Sequence, residues 1–249
     1  MKEFWFIRHG ESNTNAGLPS DSDQATGLTE KGHKQASFVP LAVKESPDLF
    51  VVSPYLRTRL TADPTLQKYP QVPVETWPIH EFTYLSHDQY AGTTNKERRN
   101  LSIGFFRQND PDLVLGEGGE SFNQFIQRVE KCLHRLSVTE YKRIVLFGHG
   151  WFTRASLWLL LEKASPDQRE TYLRDVNHLL ITSPLLLRLY RFAQARDRLR
   201  SFLLFSAGVQ TPNCSILKYQ LDKSGELKLS GFDVSHLPEE YSKTTLRNR

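Results

Sequence analysis

The stretch FIRHGESN, Phe6 to Asn13, carries an apolar run directly into arginine, histidine and glycine. Two other apolar runs end in the same unusual way. DLFVVS (Asp48 to Ser53) leads into Pro54-Tyr55-Leu56-Arg57, and RIVLF (Arg143 to Phe147) leads into Gly148-His149-Gly150. Two histidines and at least two arginines, Arg8 and Arg57, therefore converge if these runs are neighbouring strands. That combination suits a phosphate monoester. Arginine presents planar, permanently charged forks to phosphoryl oxygens, and histidine can attack phosphorus or donate a hydrogen bond. The arginines should also hold a nearby imidazole below its reference pKa near 6.5, neutral and nucleophilic around pH 7. The flanking glycines permit close backbone approach and leave amide donors for an anion.

The elements that must position these residues follow from the hydrophobic pattern. Phe4 to Ile7, Asp48 to Ser53 and Arg143 to Phe147 are continuous apolar runs rather than alternating ones, as expected for parallel strands covered on both faces. Thr29 to Ala42 reads as a helix capped by Thr29 despite Pro40, and Glu120 to Leu136 sets Phe122, Phe125, Ile126, Val129 and Leu133 at helical spacing. Strand, helix, strand and again helix, strand is an α/β order, and ligands of such sheets bind beyond the carboxyl ends of the strands. Cys214 to Leu221 and Leu227 to Phe232, joined by Asp222-Lys223-Ser224-Gly225, read as a hairpin or as strands flanking the sheet. Residues 78–119, polar and irregular, and 160–209, rich in Leu and Arg, fit no minimal sheet and are expected to cap it.

At this point the residues resemble a known family. Arg8-His9-Gly10-Glu11-Ser12 with Asn15 is similar to the first motif of the histidine phosphatase superfamily, the phosphoglycerate mutase-like proteins. Leu28-Thr29-Glu30-Lys31-Gly32, then Ser53-Pro54 with Arg57, Thr61 and Ala62, then Gly148-His149-Gly150, and finally Asn213-Cys214-Ser215-Ile216 resemble its later motifs in the same order. The resemblance implies a three-layer sandwich with a mostly parallel central sheet, one domain over 1–249 with cap insertions at about 78–119 and 160–209. It also implies roles. His9 would become phosphohistidine; Arg8, Arg57, His149 and Gly150 would hold the phosphoryl group with help from Asn15. Glu81 would protonate the departing oxygen and later help to activate water. No metal or cofactor is called for.

Departures from the mutase pattern favour hydrolysis. Glu81 is followed by Phe82-Thr83-Tyr84 where mutases carry Arg-His-Tyr, and Trp151 follows the second His-Gly where they tend to carry Asn. Arg98-Arg99 could still mimic a mutase's paired arginines, so a cofactor-dependent mutase stays open as an alternative, as does a non-catalytic module that binds phosphate or nucleic acid. Glu97, Glu117 and Glu120 compete with Glu81 for the role of acid, Glu120 with the plain reading of a helix N-terminal charge. His80, His87 and Asp88 lack a metal-ligand spacing, and His33, His134, His178 and His236 read as surface or packing residues. Seven arginines between Arg169 and Arg200 (169, 174, 188, 191, 196, 198 and 200) read mainly as a solvated basic face.

Composition sets looser bounds. The net charge of +4 suits an anionic partner without demanding nucleic acid. Cys132 and Cys214, far apart and outside any CxxC, read as buried thiols of a reducing compartment. Only four apolar residues precede Arg8, so no signal peptide is expected, and no apolar run approaches the ~18 residues of a membrane span. The expectation is a cytoplasmic enzyme acting on a small phosphorylated metabolite, or binding phosphate ion, with neither nucleic acid nor membrane as partner.

Overall fold

A computed structural model describes residues 1–19, 22–175, 183 and 197–242, the side chains of 173–175 excepted. Its centre is a six-stranded sheet. The strands are β1 (Lys2–Arg8), β2 (Leu49–Val52), β3 (Val74–Thr76), β4 (Arg143–Gly148), β5 (Ile216–Leu221) and β6 (Leu227–Asp233), in the spatial order β3-β2-β4-β1-β5-β6. The first four in that order run parallel; β5 is antiparallel to β1, and β6 pairs antiparallel with β5. The expected hairpin is thus present and also flanks the sheet, with Gly225 at φ 81° in its turn. A positive φ there is cheap only for glycine.

Side chains along each strand alternate between two cores, which makes the sheet the middle of three layers. Phe4, Phe6, Leu49, Val51, Ile144 and Leu146 belong to one core. Their partners come from α5 (Phe122–Val138), α6 (Gly150–Lys163) and α8 (Arg198–Gly208). Ile7, Phe50, Val52, Val145 and Phe147 face the other, against α1 (Glu30–Ala42) and α2 (Leu56–Lys68). Burial on both faces is why β2 and β4 read as unbroken apolar runs.

Thr29 caps α1 as expected, its side chain accepting from the Gly32 amide. The helix α5 begins two residues later than the spacing suggested, behind a capping box of Ser121 and Gln124, so Glu120 lies outside it. Residues 78–119 are not wholly irregular. They hold α3 (His87–Tyr90) and α4 (Asn95–Arg107), each opened by a capping box, Ser86 with Gln89 and Thr94 with Glu97. In 160–209, α6 continues to Lys163 and α7 spans Pro166–Asp175. α8 buries Leu199, Phe202 and Phe205 in the core rather than overhanging the sheet edge. Arg174, Arg188, Arg191 and Arg196, and likewise His178, fall outside the described residues or side chains. Arg169 donates to the carbonyls of Leu161 and Ala164 at the end of α6, and Arg198 pairs with Glu130 and Glu162.

Candidate active site

The backbone first brings the motifs together. Arg8 and Gly148 are register partners across β1 and β4, the His9 amide donates to Gly148 O (3.0 Å), and the Ser53 amide donates to Phe147 O (3.0 Å). The carboxyl ends of three adjacent parallel strands are thereby aligned. On the other side of β1, the Cys214 amide donates to Arg8 O (3.0 Å) and Asn213 Nδ2 donates to His9 O (2.9 Å). Asn213 is a supporting residue that the closing-strand motif contained without marking it.

His9 is 2% exposed and its tautomer follows from its partners. Nδ1 lies 2.7 Å from Gly10 O, which can only accept, so Nδ1 carries the proton. Arg57 Nε donates to His9 Nε2 at 3.2 Å, so the lone pair is on Nε2. Burial, then the charges of Arg57 and Arg8, hold this imidazole well below its usual pKa. His149 is fully buried; Ser53 Oγ lies 2.8 Å from its Nε2, while its Nδ1 has no hydrogen-bond partner. Its ring sits 5.2 Å from that of His9 and is likewise kept neutral, first by burial and then by Arg57. An unpaired buried ring nitrogen beside His9 is a costly feature unless an anion uses it.

Arg57 reaches the site from the first turn of α2, 4% exposed. Its fork is shared with a residue that no motif signalled: Asp23, whose carboxylate pairs with the Arg57 guanidinium at 3.1 Å. Asn15 accepts from the Ser12 amide (3.3 Å) and from Asn213 Nδ2 (3.1 Å) through its Oδ1. Arg8 donates to Thr211 O and lies against Gly150, where an added Cβ would stand 3.2 Å from Arg8 Nε.

A cavity of about 300 Å³ opens over these groups, lined by His9, Asn15, Asp23, Tyr55, Arg57, His80, Glu81, Phe82, Tyr84, Tyr90, Arg98 and Trp151 among others. Of the seven residues singled out from the sequence, His9, Asn15, Arg57 and Glu81 line it, and Arg8, His149 and Gly150 do not. Glu81 Oε1 accepts from the Trp151 amide (2.8 Å) in the first turn of α6. His80 stacks on Tyr55 (5.4 Å, 26°), and burial lowers its pKa to about 3. Among the described residues no group of three or more potential ligands is placed to hold a metal ion.

Comparison with known proteins agrees with this geometry. The family model of the histidine phosphatase superfamily (branch 1) matches residues 4–182. The chain belongs to that superfamily. An adenosylcobalamin/alpha-ribazole phosphatase of Escherichia coli K12 is 30% identical over 150 residues, which span 58% of this chain and 72% of that protein. Two solved structures share the fold. The alpha-ribazole phosphatase of Shigella flexneri has a TM-score of 0.63 at 21% identity, with 93% of this chain and 96% of that one covered. A mycobacterial glucosyl-3-phosphoglycerate phosphatase has a TM-score of 0.64 at 18% identity, with 94% of this chain and all (100%) of that one covered. For a histidine phosphatase, the mutase-pattern departures now have a structural meaning. Phe82 stacks on Phe125 (4.7 Å), and Trp151 stacks on Phe106 of α4 (5.8 Å), so aromatic packing fastens the cap where a mutase would carry polar groups.

Proposed function

We propose that this histidine phosphatase hydrolyses small phosphate monoesters in two steps, with His9 as nucleophile and Glu81 as proton donor. One observation carries the reading: the lone pair of His9 Nε2, the guanidinium of Arg57 and the carboxyl group of Glu81 share one cavity. In the first step Nε2 attacks phosphorus, the bond from phosphorus to the ester oxygen breaks, and Glu81 gives that oxygen its proton. In the second, water attacks the phosphohistidine, returns a proton to Glu81, and the P–N bond breaks to release phosphate and free His9. Arg57, Arg8 and the unpaired Nδ1 of His149 would carry the phosphoryl charge, and Asn15 would donate through Nδ2. Such transfer asks the protein mainly for position and charge.

The walls beyond the phosphoryl site support a largely uncharged, ring-bearing leaving group. Tyr55, His80, Tyr84, Tyr90 and Trp151 offer flat faces. Arg98, which could have served a second anion, donates instead to the carbonyls of Tyr90 and Thr93 and to Asn95 Oδ1. Arg99 is exposed, so the paired-arginine feature of a mutase is not assembled. The relatives whose names specify alpha-ribazole phosphate chemistry agree in kind with an aromatic pocket.

The test is a rapid quench with labelled substrate in the presence of chelator. An acid-labile, alkali-stable phosphoenzyme is expected in the natural protein and absent in His9→Ala, which also loses turnover of an aryl phosphate. An acid-stable adduct, or activity surviving in His9→Ala, would refute His9 as the nucleophile.

A further inference from the structure

Glu81 sits in a segment without regular structure between Trp77 and Ser86, so neither helix nor sheet holds its backbone. The groups that do hold it come from one helix and from Glu120, two residues before that helix. Arg128, in the second turn of α5, donates through one terminal nitrogen to Pro78 O (2.9 Å) and His80 O (2.8 Å). Through the other it donates to Glu81 O (3.4 Å) and to Glu120, and its Nε donates to the second oxygen of Glu120 (3.2 Å). Every one of the five N–H groups of a guanidinium is thereby used. Glu120 completes the clasp from the other side: its carboxylate accepts from the Thr83 amide (3.1 Å) and its own amide donates to Thr83 O (2.8 Å). The pair is mostly buried, with 11% and 14% of the two side chains exposed.

We infer that Arg128 and Glu120 are positioning residues that aim the carboxyl of Glu81 at the leaving oxygen. The inference rests on the reading of Glu81 as the proton donor and adds what fixes it. Backbone anchors stand at 78, 80, 81 and 83, on both sides of the acid, while the side chain itself is pinned to the Trp151 amide two residues after His149. The acid and the second histidine are thus tied into one frame. A flat fork that spans three carbonyls does this; a lysine, with its donors at one point, would keep the charge and lose the span.

A misaimed acid has a kinetic signature that general loosening lacks. Protonation matters when the leaving oxygen is strongly basic and matters little when the leaving group is a stable anion. The experiment compares kcat/KM, which reports the first transfer, for a simple alkyl phosphate and for dinitrophenyl phosphate in the natural enzyme, Arg128→Lys, Arg128→Gln and Glu120→Gln. Expected is a fall of ~10- to 100-fold on the alkyl ester with a change of less than about threefold on the dinitrophenyl ester. Equal losses on both esters, or no loss on either, in variants that melt like the natural protein would overturn the inference. If the Arg128 variants do not fold, Glu120→Gln, which keeps an acceptor for Thr83, carries the same test. Glu81→Gln separates the two levels. Selective loss there with none in the clasp variants removes only the positioning role, and equal loss on both esters in Glu81→Gln removes the proton donor and the positioning role together.

Discussion

At the residue scale the site depends on keeping an imidazole uncharged in a protein whose catalytic end is lined with arginine. Burial does most of this and the two arginines the rest, and all three act in one direction on His9. The Arg57 contact with Nε2 also selects the tautomer whose lone pair faces the cavity. Two consequences can be read by NMR of the His9 ring, assigned by its absence in His9→Asn. The ring should remain neutral through pH 6.5 and below, and in Arg57→Gln its titration should move up as a neighbouring positive charge is lost. Titration of His9 at or above 6.5 in the natural protein would contradict this electrostatic account. Asp23 enters the same balance, because its carboxylate shares the Arg57 guanidinium that a phosphoryl group would use. It was invisible in the sequence, lying in a loop with neither periodicity nor motif, so the cluster of histidines and arginines read from the strand ends lacked its acid.

At the element scale the motif around Gly32 acts as a spacer. A Cβ on Gly32 would stand 2.0 Å from Glu11 O, and one on Gly10 would stand 2.5 Å from Gly32 O, so α1 meets the His9 loop backbone to backbone. Gly32→Ala must push α1 and the loop apart. It is expected to cost about 1–3 kcal/mol in chemical denaturation and to lower turnover. Gly104, inside α4, has nothing within 4 Å of its would-be Cβ, so Gly104→Ala should stabilise by up to about 1 kcal/mol and serves as the contrasting control. An equal response of the two substitutions would mean that contact at Gly32 is not what makes it special. The strands β1, β2 and β4 were legible because burial on both faces leaves a run of apolar residues, and α5 because its buried face is apolar at helical spacing. The helix α2 was not. Its buried face is Arg57, Thr58, Thr61, Ala62 and Thr65, mostly polar, with the Thr58 and Thr61 hydroxyls spent on backbone carbonyls and Thr61 also accepting from the Gly10 amide, and a search for apolar periodicity passes over it. Glu120 looked like a helix-end charge from the sequence; only the path of the chain before Ser121 reveals that it clasps the loop of Glu81.

At the scale of the whole molecule, the burial that keeps the histidines neutral also sets a limit on the acid side. His9 and His149 are buried neutral, with folded-state pKa values well below the unfolded reference near 6.5. Below that reference the unfolded chain binds protons that the folded chain refuses. Stability is therefore fully present above about pH 6.5 and is lost as pH falls, down to the folded-state values. Between pH 7 and pH 5 each of these two histidines should therefore lower the stability. Carboxylates contribute little in that window. Asp222, for example, is held below the usual range by the hydrogen bond from Lys228, so its effect appears only at lower pH. His80 and His236, also held down by burial, act in the same direction, so denaturant midpoints measured at pH 7 and pH 5 should fall steeply in the natural protein and less steeply in His149→Gln, provided the substitution does not itself change the slope of the transition. An unchanged pH dependence in His149→Gln would show that this histidine gains its proton on folding as readily as off it. A ligand that binds only the folded site offsets the loss in proportion to its saturation, so inorganic phosphate should raise the pH 5 midpoint of the natural protein more than that of Arg57→Gln. The site and the fold are thus coupled through the same buried rings: acid acts against the folded state through His9 and His149, and a bound anion acts against that loss.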